Sequence, residues 1–386
     1  MTFEPLKNLR VVEFAGLAPA PLCGQMLADY GATVIRIDKA SDAREGILSQ
    51  DSLTRRKKSI ALDLQSKSAI DIARQLIAKS DVLLDPYRPG VLEKLGLGPE
   101  VFLDDQNGLN KKLVFARLTG YGQNTTKSSW AGHDINYLAE AGLLSMSGPA
   151  DGPPAFTSNV LGDFASLALP AFAGILLALY SKTGQVLDVN IVDSARYLAL
   201  FVSLNKYLPD GSSYLWENPR GQNILDGGAP FYRVYETKDS NEFVSVGCLE
   251  EKFYQSFLQL LDLQEDSSAN AVPSRMNPEN WKILSEVFSK KFKEHGIAYW
   301  KARIEMFPNA CCTVLNPIAH PNQIPDAIVR TSNETRSNQP SSWFTEKLCP
   351  GKHTKEIVEE ILGPKTWMAV RHRPYIQEWN KTNSLL

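Results

Sequence analysis

The sequence predicts an α/β protein, with a large domain built on a mostly parallel sheet and a smaller α+β domain after it. Two observations predict it. Short β-branched runs alternate with helical stretches over residues 9–192, and turn formers break that rhythm after about residue 205. Residues 9–14 read as a buried strand ending at Ala15-Gly16. Pro19 and Pro21 open a helix over 22–30, closed by Gly31, and 33–37 form a second strand ending at Asp38-Lys39. Strand–helix–strand is the building block of a parallel sheet. A strand at 59–64, a helix at 66–79, a strand at 82–84 and the turn Tyr87-Arg88-Pro89-Gly90 continue the pattern. Strands at 113–118 and 186–192 complete a Rossmann-like sheet with helices on both faces. Pro209-Asp210-Gly211-Ser212-Ser213 and Asn218-Pro219-Arg220-Gly221 then read as a linker. Residues 231–236 and 242–247 alternate like a hairpin, with helices to about 306. His320-Pro321-Asn322 and Arg336-Ser337-Asn338-Gln339-Pro340 mark a second linker. The expected division is a large domain over 1–205, a linker over 206–225, a small domain over 226–310 and a linker over 311–332.

The 386 residues allow two domains with sizeable cores, and 43% apolar with 22% charged residues is an ordinary globular composition. A net charge of −2 argues against nucleic acid as the main partner. Five cysteines (Cys23, Cys248, Cys311, Cys312, Cys349) show no framework spacing and read as reduced thiols in an intracellular protein. Adjacent Cys311 and Cys312 read as packing residues. No leader is visible at Met1-Thr2-Phe3-Glu4-Pro5. The longest apolar run, 164–180, contains Pro170 and Gly174 and falls short of the ~20 residues of a membrane span, so a buried core helix is expected.

The first strand–helix–strand unit invites a dinucleotide, with Asp38 placed as a ribose-binding acid. Its loop, Ala15-Gly16-Leu17-Ala18-Pro19-Ala20-Pro21, lacks the glycines and amides that grip a pyrophosphate, so a nicotinamide site is not expected. Thr54-Arg55-Arg56-Lys57-Lys58-Ser59 packs four cations before a strand. Alone it would read as a solvated face. Arg36 and Lys39 at the previous strand end, and Arg88 and Lys94 after the next, converge with it on the crevice where ligands of parallel sheets sit. Such a scattered set of charges suits coenzyme A, with its 3′-phosphate and pyrophosphate.

The candidate chemistry lies in Gly132-His133-Asp134-Ile135-Asn136-Tyr137 and Asn159-Val160-Leu161-Gly162-Asp163-Phe164. Imidazole as a side-chain type suits proton transfer near neutral pH, which makes His133 a candidate acid or base, Gly132 allows close backbone approach, and Asp134 and Asn136 offer polar support. Asp163 reads both as the N-cap of the apolar helix and as a second acid–base group. The helix dipole should lower its pKa, and desolvation by a bound acyl chain should raise it again. Glu250, in Gly247-Cys248-Leu249-Glu250, stands at another strand-to-helix junction. Two such groups about 30 residues apart can deprotonate one face of a carbon and reprotonate the other.

On these motifs the chain resembles α-methylacyl-CoA racemases of the family III CoA-transferase superfamily, along nearly its whole length. The resemblance implies an inversion at the α-carbon of a 2-methylacyl-CoA, through an enolate held by amides near Asp163, with His133 and Asp163 as the two bases and Glu250 orienting His133. It implies that Ala61, Leu62, Asp63 and Leu64 hold the adenine through their backbone, that Pro86, Tyr87, Arg88 and Lys94 line the phosphate path, and that Lys39 meets a phosphate. Gly132, Asp134, Ile135, Asn136 and Tyr137 are counted with the coenzyme-facing residues. Two departures stand out: Lys39 where relatives often carry arginine, and Pro86 where they carry glycine or a small polar residue. Asp226-Gly227-Gly228-Ala229-Pro230 is expected to help close the site, and Leu143, Met146, Leu161 and Phe164 to face the acyl group. No metal or redox cofactor is implied. The resemblance also implies an interlocked homodimer, with 333–386 returning to the large domain. A family III CoA-transferase using Asp163 as nucleophile is the alternative. Such transferases usually carry tyrosine at the place of His133 and a glycine-rich loop near that of Glu250. A catalytically dead acyl-CoA-binding protein is a third reading. An intracellular, cytoplasmic location is expected, with the peroxisome as the alternative: the terminal Ser384-Leu385-Leu386 differs from a peroxisomal signal at the middle, basic position.

Overall fold

A computed structural model describes residues 3–379, apart from 17, 208–214, 265–270, 321–322, 326, 330 and 332–346. The expected turns at 209–213 and 336–340, Pro321-Asn322, and the terminal tripeptide lie outside the described residues. The chain divides into two compact units. The first comprises Met1–Ala141, Thr157–Tyr197 and His320–Leu386; the second comprises Gly142–Phe156 and Leu198–Ala319. The expected border at 205 thus falls at Tyr197, and 142–156 joins the second unit rather than the large domain.

In the first unit, strands β1 (Arg10–Phe14), β2 (Thr33–Lys39), β3 (Lys58–Leu62), β4 (Val82–Asp85), β5 (Val114–Thr119) and β6 (Gln185–Asn190) run parallel in the order 3-2-1-4-5-6. The order reverses between β1 and β4, so the loops after those two strands flank the switch-point crevice. A short strand, Ile376–Gln377, pairs antiparallel with β3 at Leu62 and Ala61. Val11, Val12, Val34, Ile35, Leu83, Leu84 and Phe115 are completely or almost completely buried, as expected for strands covered on both faces.

Side chains set the ends of these strands. The run expected at 186–192 stops at Asn190, whose Oδ1 accepts the Asp193 amide at 2.8 Å and turns Ile191-Val192 into the start of helix Ile191–Leu198. β3 stops at Leu62 because the Asp63 carboxylate accepts the Gln65 amide at 3.1 Å, opening helix Lys67–Ala78.

Three of the four clustered cations are paired with acids. Lys57 is fully buried and its Nζ contacts Glu13 Oε2 at 2.7 Å and the Pro21 carbonyl at 2.8 Å. Arg55 forks onto Asp29 at 2.9 and 2.5 Å, and Lys58 pairs with Glu356 at 2.6 Å. Arg56, exposed and at φ +60°, reaches the Asp29 carbonyl at 3.4 Å. Burial pushes the Glu13 carboxyl up to about 7 against the opposing pull of Lys57.

The apolar run differs from the expected buried helix. It belongs to a continuous helical stretch, Ser158–Ser181, long and apolar enough by length and composition to cross a membrane. One such helix is weak evidence for a span. Ala171, Ile175 and Ala178 pack on the sheet core, while Leu169, Leu177 and Tyr180 are exposed.

The second unit carries an antiparallel sheet of β7 (Tyr232–Glu236), β8 (Phe243–Gly247) and β9 (Cys312–Val314). Helices Glu251–Leu260, Trp281–Phe292 and Ile297–Met306 bring Tyr254, Phe257, Phe288, Phe292 and Trp300 into its aromatic core. All five cysteines are free. Cys312 is buried, but Cys311 is exposed at φ +49° and is not a packing residue.

Replacing Lys57 by methionine strands a buried carboxylate and should cost about 3–5 kcal/mol at pH 8. Because burial holds Glu13 above its unfolded value, its favourable contribution is present at low pH and lost as pH rises through about 7. The deficit of Lys57→Met in denaturant unfolding should therefore shrink at pH 6, and an equal deficit at both pH values would contradict this account.

Candidate active site

The switch-point crevice is built by short contacts between its two loops. The Pro86 ring lies directly against Gly16, Tyr87 packs on Phe14 with ring centroids 5.6 Å apart, and the Tyr87 amide donates to Asp85 Oδ1 at 3.0 Å. Burial, with the charge of Asp85, pushes the Tyr87 phenol up to about 12. Lys39, Arg88 and Lys94 are exposed around this end of the sheet.

Two expected phosphate ligands are otherwise engaged. Arg36 is buried between Asp38 at 3.1 Å and Asp51 at 2.8 Å, and Arg55 is committed to Asp29. Desolvating both arginines required partners, which the chain itself supplies. The adenine stretch is also partly spent: the Ala61 amide donates to Thr354 Oγ1 at 3.2 Å and the Asp63 amide to the Tyr375 carbonyl at 2.8 Å, while Ala61 and Leu62 are buried. Leu64 packs against the large core. Of the expected cations, Lys39, Arg56, Arg88 and Lys94 remain exposed.

The histidine motif opens helix Asp134–Ala141. The His133 amide donates to Asn136 Oδ1 at 3.1 Å, so Asn136 fixes the turn that presents an exposed His133. Ile135 is exposed, and the Tyr137 hydroxyl donates to the Gly132 carbonyl at 2.5 Å. A Cβ at Gly132 would lie 2.7 Å from the Tyr137 ring, which is the close approach the glycine permits.

Asp134 ties this motif to the second one. It is buried, and its Oδ2 accepts the Asp163 amide at 2.7 Å. Gly162 makes room, since a Cβ there would stand 2.2 Å from that same oxygen. Asp163 is not the N-cap. The stretch Leu161–Ala168 starts two residues earlier, with Val160 at the cap, and Asp163 sits in its first turn. Asn159 Nδ2, just after Ser158 at φ +54°, donates to Asp163 Oδ2 at 3.2 Å. The Asp163 carboxyl is raised by burial in the fold itself, with Asp134 adding to the rise and Asn159 and His133 opposing it. No bound acyl chain is needed to offset the dipole. The Asp163 amide, however, is taken by Asp134 and is not free for an enolate oxygen.

A cleft of about 590 Å³ in this unit is lined by Gly16, Ala18, Arg36, Asn159 and Phe164. An apolar groove of about 690 Å³ follows the same helix along Val160, Phe164 and Leu169. Leu161 is half-buried.

Glu250 belongs to the second unit, exposed, as the extended N-cap residue of helix Glu251–Leu260. Arg275 holds its turn by donating to the Cys248 carbonyl at 2.8 Å, sandwiched between Phe231 and Tyr254. Asp226, half-buried, closes a polar knot: it accepts from the Gly221 amide at 2.7 Å and from Asn223 at 2.8 and 2.7 Å. Leu143 and Met146 also belong to the second unit.

Sequence reasoning carried Asn159 and Gly162 in the motif without a role for either, and gave Asp134 only polar support. The signal was present in Asn159-Val160-Leu161-Gly162-Asp163, a polar residue one helical turn before the acid.

Gly162→Ala should displace Asp134 from the Asp163 amide and cut turnover by roughly 10²-fold with the circular dichroism unchanged, as expected when a reacting group moves by about 1 Å. Because the Asp163 carboxyl is raised, the acidic limb of the pH–rate profile should lie above the ordinary carboxylate range. A limb at the ordinary value would show that Asp163 does not control it.

The profile described as CoA-transferase family III matches residues 6–345. The alpha-methylacyl-CoA racemase of Mus musculus is 46% identical over 312 residues, covering 80% of this chain and 77% of the mouse protein. The alpha-methylacyl-CoA racemase of Homo sapiens is 37% identical over 374 residues, covering 92% and 93%. A CAIB/BAIF family protein from Brucella suis has the same fold, with a TM-score of 0.74 at 21% identity over 92% of this chain and 99% of that one. The Rossmann-like sheet and the match over most of its length place the chain in CoA-transferase family III.

Proposed function

We propose that the chain is an α-methylacyl-CoA racemase. The observation that supports this reading best is the bond between the Asp163 amide and Asp134, the residue next to His133. The two racemase relatives support it. His133 takes the α-proton from one face of the thioester and Asp163, whose raised pKa suits it to hold a proton, delivers one to the other face. The roles reverse for the opposite enantiomer. Inversion only exchanges protons, so no redox group takes part. The Asp134 and Ile135 amides, immediately after His133 in the first turn of helix Asp134–Ala141, are proposed to replace the Asp163 amide as the seat of the enolate oxygen. Glu250 is proposed to orient His133.

Lys39, Arg56, Arg88 and Lys94 are proposed to meet the coenzyme A phosphates, with Tyr87 beside them. The groove along Val160, Phe164 and Leu169 supports a large apolar acyl group. Exposed Leu177, Tyr180 and Tyr197 support a homodimer that covers them, because large apolar side chains in solvent favour an interface. Five free cysteines support an intracellular setting.

Asp163→Asn keeps shape and hydrogen bonding but cannot accept a proton. It should lower inversion of (R)- and (S)-2-methylacyl-CoA by about 10²–10⁴-fold while one enantiomer still exchanges its α-proton in heavy water. Equal residual exchange from both enantiomers would contradict two bases. An acyl anhydride trapped on wild-type Asp163 would move the chain to the transferase reading. Arg88→Ala should raise KM more than it lowers kcat, since a phosphate contact forms equally in ground and transition states. Competition by 3′-dephospho-CoA as strong as by CoA would remove the phosphate role.

A further inference from the structure

Arg117 is a buried arginine in the middle of a strand, a costly place for a charge. It stands in register with Asp85 across β4 and β5, its Nε 3.5 Å from Asp85 Oδ2. Its Nη2 pairs with Glu93, its Nη1 donates to Gln123 Oε1 at 2.9 Å, and its guanidinium lies 5.2 Å from the centre of the Phe115 ring. Both acids belong to one short segment. Asp85 fixes the turn into Arg88 by accepting the Tyr87 amide at 3.0 Å, and Glu93 immediately precedes Lys94 on helix Val91–Lys94. Each of the two exposed cations thus lies within three residues of a carboxylate facing Arg117, Glu93 through a hydrogen bond and Asp85 through an ion pair at 3.5 Å.

We propose that Arg117 is a positioning residue for coenzyme binding: through Asp85 and Glu93 it sets Arg88 and Lys94 at the phosphates without touching the ligand. The proposal rests on the coenzyme A reading above. A rigid guanidinium can grip two carboxylates at once, which a lysine ammonium on its flexible stem does poorly. Ordering the 85–94 segment in the free protein removes that cost from binding. Because the same contacts persist through turnover, they should act on KM and not on kcat.

The test is Arg117→Met in the full chain, with kcat and KM for a 2-methylacyl-CoA and inhibition constants for CoA and 3′-dephospho-CoA. KM and the CoA constant should rise ~10-fold, kcat should stay within about threefold, and the preference for CoA over 3′-dephospho-CoA should shrink. Glu93→Gln, at a partly exposed side chain, should shift KM in the same direction by less. The double variant should be no worse than Arg117→Met, as coupled residues behave. If Arg117→Met does not fold, Glu93→Gln decides. Unchanged KM and CoA constant in either folded variant, or a fall in kcat at constant KM, would overturn the clamp while wild-type calorimetry still shows CoA binding. Absence of CoA binding by the wild type would overturn the coenzyme reading, and this proposal with it.

Discussion

Among the described residues, each cation that the first unit buries is matched by a carboxylate, and that constraint decides which cations remain for a ligand. Lys57 is spent on Glu13, Arg36 on Asp38 and Asp51, Arg55 on Asp29, and Arg117 on Asp85 and Glu93. An unmatched ion in such a place would cost several kcal/mol, so these pairs are a condition of folding before they are a feature of binding. A basic run in sequence is therefore not a basic surface. The exposed cations at the sheet end are the ones whose side chains escape the strand interior.

This separates what the sequence made legible from what it hid. The parallel sheet was readable because β-branched runs and helical stretches alternate, and both periodicities are local. The hairpin of β7 and β8 was readable for the same reason. The ends of β3 and β6 were not, because single hydrogen bonds accepted by Asp63 and Asn190 override the propensity of the residues that follow. Residues 142–156 looked like a continuation of the large domain, since no composition change marks their departure. The His133 and Asp163 motifs were visible as polar residues beside glycine. Their physical link, a carboxylate on one motif and an amide on the other, is a contact across 29 residues that no local pattern announces.

The Asp163 carboxyl shows how competing terms settle a titration. Its place in a first helical turn favours ionisation, as do the Asn159 amide and the charge of His133. Burial and the neighbouring Asp134 win. The same Asp134 that fixes the backbone of Asp163 thus also disfavours its charge, so one side chain sets both the position and the proton affinity of its neighbour.

The pairing of Ile376–Gln377 with β3 has a consequence for how the chain comes to be made. Until that last short strand emerges, β3 presents an open row of amides and carbonyls, the kind of edge that recruits other chains. Synthesis reaches it roughly 300 residues after Leu62, about 15–60 s later at ~5–20 residues per second. During that interval the ribosome carries a sheet whose border is unfinished, and Thr354, which joins the Ala61 amide to the Gln377 carbonyl, is the stitch that closes it. The far end of this polypeptide is thus a seal on its beginning.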